Sequence, residues 1–421
     1  MTPIGSAGDV HPFVGIGRAL RQRGHRVTII TNAAFASVVE KAGLDFVAHG
    51  SVEFFEAVTQ DPELWHPTRG VGFILRTIAQ LMREQYELIE HLYEPGQTVL
   101  VNHSTGVGSR VFEDKYQLPA LTVHLAPSVF RSAWRDPTQI PGHNLSWLPW
   151  TIRRGMWWLI DRMLIDRHVL GELNRWRAEL GLPPVSRIFK DWLHSPQRVI
   201  GLFPDWFAPP QPDWPAALRL TGFPLFDERG QHAADPALEA FLQAGDPPIA
   251  ATPGSANRQA SAFFEAVIEA AARLRRRALL LTRYPEQLPA SLPDHVLHVP
   301  FAPFSTLLPR CAAVIHHAGI GSCAQGLAAG IPQFAMPMGF DQPDNVARLQ
   351  ALGVGTFVTP QRFTGRNVAR ALRPLLESHE VREACRRCAE RIAADDAIAR
   401  TCDLIEAMIP TPRSRAVMMA T

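Results

Sequence analysis

A chain of 421 residues, 46% hydrophobic and 19% charged, can bury sizeable cores, and its length points to two domains of roughly 200 residues each. The formal net charge is only +2, so no strong positive field recruits nucleic acid, and none is expected as a partner. The five cysteines fall at 311, 323, 385, 388 and 402, too few and too late for a disulfide scaffold. No apolar run reaches spanning length and the N-terminus has no signal-peptide pattern, so a cytoplasmic chain is expected.

The segment "GSAGDVHP" (5–12) reads as the turn after a first strand, with Asp9 as helix N-cap and Pro12 in the first helical turn. Only Met1 to Ile4 precede it, which is short for a strand. Either the native start codon lies upstream of Met1 or the sheet lacks most of one strand; the first reading is favoured here. "FVGIGRALRQRGH" is an amphipathic helix closed by Gly24, "RVTIIT" a β-branched strand, "AAFASVVEKAG" a helix and "DFVAHG" a strand. "TVLVNH", a helix through Val111 and Tyr116, and "PALTVHLAP" repeat the unit. A Trp-rich stretch from Trp134 to Trp176 interrupts this rhythm, in which Trp157, Ile160 and Leu164 recur at helical spacing. "RVIGLF" and "LRLTG" resume it.

Residues 223–247 are linker-like, and alternation restarts with "IAATPGS", a helix over 259–275 and "RALLLTR". "HVLHVP", "AVIHHAG" and "IPQFAMP" follow, separated by helical segments. The expected fold class is α/β, two doubly wound domains facing across a cleft. Their boundaries are 1–222 and 248–410, followed by a frayed tail over 411–421. Cys385 and Cys388, within the helical pattern "REACRRCAERI", read as packed side chains rather than a metal or redox pair.

In "VIHHAGIGSCAQGLAAGIPQFAMPMGFDQPDN" (314–345) a buried strand gives way to a small-residue helix through a turn holding His316, His317, Gly319 and Gly321. The turn brings backbone close to a ligand, and the helix start favours an anion. A second glycine turn, "TPGS" with Gly254 and Ser255, follows the first strand of the same domain. Two such turns facing one crevice suit a diphosphate. Neither a G-x-x-x-x-G-K-[ST] nor a G-x-G-x-x-G opening a dinucleotide unit is present. Asp341 and Gln342 end the next strand with the acceptor and donor groups that a sugar ring calls for, and Phe301 ends another strand where an aromatic could stack on a base.

The pattern "HHAGIGS…Q…GFDQPDN" resembles the donor signature of nucleotide-sugar glycosyltransferases of the two-domain (GT-B) type, family 1, and "GSAGDVHPFVGIGRALRQRGHRV" resembles the acceptor-side signature of that family. The resemblance covers nearly the whole chain. It implies that His317 contacts the diphosphate, with His316 beside it, and that Gly319, Gly321 and Ser322 hold it at the helix start. Gln325 then reaches the ribose, Phe301 stacks on the base, Asp341 and Gln342 grip the sugar, and Ser6, Gly254 and Ser255 complete the donor side. Asp9 stands where many members have a catalytic His, and His103 where an orienting Asp often sits, so His103 assists Asp9, replaces it, or only packs.

The activity so implied is inverting transfer of a hexose to a hydroxyl, with Asp9 as base, no metal and no cofactor, the sugar nucleotide being a co-substrate. "RIFKDWLHSPQRVIGLFPDWFAPPQPDW" and "TGFPLFD" are similar to the rhamnolipid-forming branch, which favours dTDP-rhamnose and a hydroxy fatty acid acceptor, in keeping with the tryptophans between 134 and 176. That branch also leaves room for peripheral contact at the inner membrane face and for a partner enzyme supplying the lipid. The second reading is a UDP-glucose-dependent enzyme acting on a sterol, polyphenol or macrolide. The third is a non-catalytic sugar-nucleotide-binding partner.

Overall fold

The computed structural model describes residues 1–66, 69–142, 145, 147–231 and 235–409; the expected tail over 411–421 lies outside them. In the N-terminal half, β1 (Thr28–Thr31) pairs in parallel with β2 (Asp45–Ala48). A second parallel run consists of β3 (Leu100–His103), β4 (Ala120–His124), β5 (Val199–Gly201) and β6 (Leu218–Leu220). Met1 and Thr2 stand between the two runs. Ile30 N donates to Met1 O at 2.9 Å and Thr2 N donates to Val101 O at 3.1 Å, so a two-residue stub joins them into one sheet. The Met1 ammonium donates to Thr28 O at 2.8 Å, and burial pushes it down to about 5. The stub fills the place of the short first strand, and its paired backbone groups leave the sheet continuous there.

Strands β3, β4 and β5 are buried along their whole length, as strands covered on both faces must be. One face packs Val101, Leu121 and Ile200 against Val10 and Phe13. The other packs Leu100 and Ala120 against Met82 and Phe112, Met82 coming from the long helix Gly70–Leu92. The Trp-rich stretch folds as helix Trp150–Ile160, a π-helical turn Asp161–Asp166 and helix Arg167–Glu179. That turn adds about one residue per cycle, so the inward stripe runs Trp157, Asp161, Ile165, Val169. Leu164, expected on that stripe, is turned to solvent.

The linker contains a helix, Pro236–Gln243, capped by Asp235. Beyond it lie β7 (Ile249–Thr252), β8 (Ala278–Leu281), β9 (Val296–Val299), β10 (Ala313–His316), β11 (Gln333–Ala335) and β12 (Gly355–Phe357), all parallel, in spatial order β12-β11-β10-β7-β8-β9. The order reverses between β7 and β10, and the crevice at such a reversal is where ligands bind. The N-terminal sheet reverses in the same way between the Met1–Thr2 stub and β3.

The domain boundary needs one correction. Helix Ala397–Glu406 leaves the C-terminal domain and packs on the N-terminal one: Thr401 Oγ1 donates to Thr221 Oγ1 at 2.8 Å, Arg23 pairs with Asp403 at 2.6 Å, and Cys402 lies in one core with Ile16. Cys385 and Cys388 sit buried in helix His379–Ala393, where desolvation pushes both thiols up, Cys385 to about 12. They are packing groups.

Candidate active site

Both sheet reversals open onto one cleft. A Cβ built on Gly321 would lie 3.9 Å from Gly8 Cα, so helix Ala7–Gln22 of one domain and helix Ile320–Ala329 of the other point their N-termini at each other. At the first, the helix begins one residue after Ser6, and Ser6, not Asp9, is its N-cap. Asp9 is the third helical residue and reaches back, Oδ2 accepting from Ser6 N at 2.7 Å and Ser6 Oγ at 3.0 Å. That reciprocal capping fixes the carboxylate. Its other oxygen, Oδ1, lies 3.6 Å from His103 Nε2. The Asp9 side chain is 33% exposed and that of His103 only 3%. Asp9 therefore faces the cleft, and His103 stands behind it at the end of β3, against Phe13 and with Nδ1 at 2.7 Å from Thr105 Oγ1. Burial holds the imidazole below its ordinary pKa although Asp9 pulls it up, so it is neutral near pH 7. A neutral imidazole places no positive charge beside the Asp9 carboxylate.

Across the cleft, the turn after β10 contains Ala318 at φ 68° and leads into helix Ile320–Ala329. His316 and His317 have different tasks there. His316 is fully buried, Nδ1 accepting from Ala318 N at 3.0 Å and Nε2 meeting Gln333 Oε1 at 2.9 Å. Burial pushes it down to about 3. It shapes the turn from behind, which corrects its expected place among donor-contacting groups. His317 lies between the two glycine turns. A Cβ on Gly254 would sit 2.6 Å from its Cε1 and one on Gly319 would also strike the ring. Burial pushes His317 down to about 4, and Nδ1 has no hydrogen-bond partner. An unpartnered ring nitrogen beside a helix N-terminus is an anion seat with a missing acceptor. Ser255 and the half-buried Ser322 border the same turns, while Gln325 is buried one turn into the helix.

Asp341 occupies the N-cap position of helix Gln342–Ala351 but does not cap it with its side chain. Its Oδ2 accepts from Ile320 N at 3.3 Å and from Asn345 Nδ2 at 2.7 Å, so the carboxylate is tied to the start of the neighbouring helix. Burial raises its pKa to about 6, with the Asn345 hydrogen bond pulling down and the charge of Asp9 pushing up. Gln342 is buried, its Oε1 accepting from Met338 N at 2.7 Å and Gly339 N at 3.2 Å; its carbonyl oxygen serves the loop. Phe301 lies half-buried beyond β9 with the Arg283 guanidinium 5.2 Å from its ring centroid. Three residues were not anticipated. Arg283 lies 3.9 Å from Glu228 and Glu228 lies 3.4 Å from His11, linking the aromatic side of the donor cleft through the linker to the helix that carries Asp9. Only the "HP" after Asp9 hinted at His11.

The raised pKa of Asp341 has a consequence for stability. A carboxyl titrating near 6 when folded and near 3.8 when unfolded destabilises the native state progressively as pH rises through that window, and fully above it. Asp341→Asn is expected to raise stability by about 1–3 kcal/mol at pH 8, with the gain shrinking toward pH 4, while activity falls. Chemical denaturation at both pH values checks this; a variant less stable than the parent at pH 8 contradicts it.

Residues 1–129 match the N-terminal domain of glycosyltransferase family 28, and residues 267–408 match the C-terminal domain of the erythromycin biosynthesis protein CIII-like family. The chain is 32% identical over 420 residues to O-mycaminosyltylonolide 6-deoxyallosyltransferase of Streptomyces fradiae, covering 96% of this chain and 95% of that one. It is 24% identical to sterol 3-beta-glucosyltransferase of Eremothecium gossypii over 95% of its own length, but spans only 33% of that protein. Among solved structures, the glycotransferase of kitacinnamycin superposes with a TM-score of 0.74 at 21% identity, covering 97% and 98% of the two chains. A spinosyn rhamnosyltransferase complexed with thymidine diphosphate superposes with a TM-score of 0.67 at 17% identity, covering 96% and 98%. These structures show the fold, and the full-length 32% identity carries the kinship: the chain belongs to the two-domain (GT-B) glycosyltransferases of the family 1/28 type.

Proposed function

We propose that the enzyme transfers a 6-deoxyhexose from a dTDP-sugar to a hydroxyl of a bulky, ring-bearing apolar acceptor, with inversion and without a metal. The observation that carries the mechanism is the cleft-facing Asp9 carboxylate set opposite the His317 turn and the helix start at 320. The acceptor hydroxyl attacks the anomeric carbon from the Asp9 side as the diphosphate departs on the other. Asp9 takes the hydroxyl proton, help worth about 10²–10⁴-fold. The helix N-terminus and His317 meet the growing negative charge, a preorganised electrostatic role. His103, 3.6 Å behind Oδ1, is a positioning residue.

The 6-deoxy sugar is favoured by the name of the full-length relative, a 6-deoxyallosyltransferase, and the thymidine nucleotide by the thymidine diphosphate complex of a fold neighbour. The acceptor named for that relative is a glycosylated tylonolide, and the other is named for sterols. A ring-bearing acceptor therefore takes precedence over the hydroxy fatty acid expected from the rhamnolipid-forming likeness. The tryptophans do not restore the lipid reading: Trp157 and Trp176 are core, while Trp147, Trp150 and Trp158 face outward. The test is a donor-by-acceptor matrix run in excess EDTA and read by mass spectrometry. Transfer of a 6-deoxyhexose from dTDP to a macrolide aglycone or sterol is expected. Product only on hydroxy fatty acids, only from UDP-glucose, or only after a divalent metal is restored would each refute the corresponding part.

A further inference from the structure

The segment that interrupts the N-terminal sheet carries an apolar surface that glycosyl transfer leaves unexplained. Trp134, Trp147, Trp150, Ile152, Trp158 and Leu159 are all exposed, Trp147 at 76% and Trp158 at 52%. Trp134 and Trp150 stack with ring centroids 5.9 Å apart. The π-helical turn extends this face, because it rotates Met163 and Leu164 outward with the tryptophans. Soluble surfaces seldom gather so many large apolar groups without a partner.

The charges on the same segment identify the partner. Among the described residues of 134–167, the exposed ionisable side chains are Arg135, Arg154, Arg162 and Arg167. The acids are turned inward: Asp136 accepts from Trp157 Nε1 at 2.5 Å, Asp161 pairs with Arg131 at 3.2 Å, and Asp166 accepts from the backbone N–H groups of Arg187 and Ile188 at 3.2 and 3.3 Å. Beside the tryptophan face opens a recess of about 460 Å³ lined by Trp158, Arg162, Arg167 and Arg187, with Asp161 and Asp166 at its floor. The Arg162 guanidinium lies 5.5 Å from the Trp158 ring centroid.

Arg187 on the recess pairs with the exposed Asp191 at 3.2 Å, but the described residues of 134–167 combine exposed indoles and arginines with no exposed acid. That combination matches the headgroup zone of a bilayer, where aromatic rings sit at the interface and cations meet anionic lipid. Among the described residues no helix is long and apolar enough to cross a membrane, so contact through this face is peripheral. We infer that the described residues of 134–167 dock the enzyme on anionic phospholipid, with the indoles inserted at headgroup depth and the arginine-lined recess holding a phosphodiester headgroup. The inference is independent of the donor and acceptor proposed above.

Sedimentation of the full chain with mixed phosphatidylglycerol–phosphatidylcholine vesicles, and with pure phosphatidylcholine vesicles, tests this. Binding to the mixed vesicles, weakened by salt and slight on the neutral ones, is expected. Trp147→Ser with Trp158→Ser should lower the partition coefficient at least about tenfold. Arg154→Glu with Arg162→Glu should remove the preference for anionic lipid. Unchanged melting temperature and an unchanged thermal shift with dTDP establish that the variants are folded. Equal binding to both vesicle types, no binding at all, or full binding by either double variant overturns the inference. So does self-association of the parent chain, measured by light scattering, that Trp147→Ser with Trp158→Ser abolishes without any vesicle binding.

Discussion

Asp9→Asn is expected to lower turnover at least about a hundredfold while leaving donor affinity near that of the parent. The carboxylate is isosteric with the amide, and its cap contacts from Ser6 N and Ser6 Oγ need only an acceptor oxygen, which Asn retains. What the substitution removes is the capacity to take a proton. His103→Ala should cost much less. Its ring is buried behind Asp9 at 3.6 Å, and the Ser6 contacts still hold the carboxylate, so its loss removes packing behind the base without deleting the base. Single-turnover rates with a fixed donor, alongside donor binding by calorimetry, check both expectations. Full activity in Asp9→Asn together with inactivity in His103→Ala would make His103 the base.

Gly254→Ala should be the most damaging single-methyl change on the donor side. The residue has φ 95°, in the region where a side chain costs roughly 1–3 kcal/mol. Its new Cβ would also lie 2.6 Å from Cε1 and 2.8 Å from Nδ1 of His317, so the ring must move. Unfolding free energy should fall by about 1–3 kcal/mol, and the donor KM should rise at least about tenfold as the displaced imidazole loses one hydrogen bond to the diphosphate. His317→Ala should raise the donor KM by a similar factor with a smaller loss of stability. Since both changes act through one ring, the double variant should fall well short of the sum of the two. Strict additivity, or a Gly254→Ala enzyme with unchanged donor KM and melting, would show that the ring does not sit between the glycine turns as described.

Strand existence and the donor turn were legible because their signals are local. β-branched runs such as "TIIT" and the spacing of Gly319, Gly321 and Ser322 depend on neighbours in the chain. The same was true of Leu75, Ile78, Met82, Tyr86 and Ile89, whose helical spacing marks Gly70–Leu92 even though that helix was not picked out in advance. The inward register of the Trp-rich segment was not legible. A 3.6-residue period places Leu164 under Trp157, and only the π-helical turn, which forms where Asp161 meets Arg131, moves Ile165 there instead.

The candidate site divides in the same way. Residue type and local turn marked His317, Gly319 and Asp341 as groups suited to an anion or a sugar, and the family resemblance marked Asp9. Pairing at a distance decided what each one touches. His316 and His317 are adjacent and chemically identical, yet Gln333 from β11 captures the first while the second is left facing Gly254 from another turn. His103 lies 94 residues from Asp9 in the chain, and only the fold sets it, buried, behind that carboxylate. Sequence determined which groups exist and how each turn is built, because those follow from bonded geometry and near neighbours. Tertiary structure decided which groups meet solvent, which lose it, and which stand across the cleft from one another, because desolvation and charge interactions depend on residues distant in the chain, such as Asp9 and His103 or Gly254 and His317.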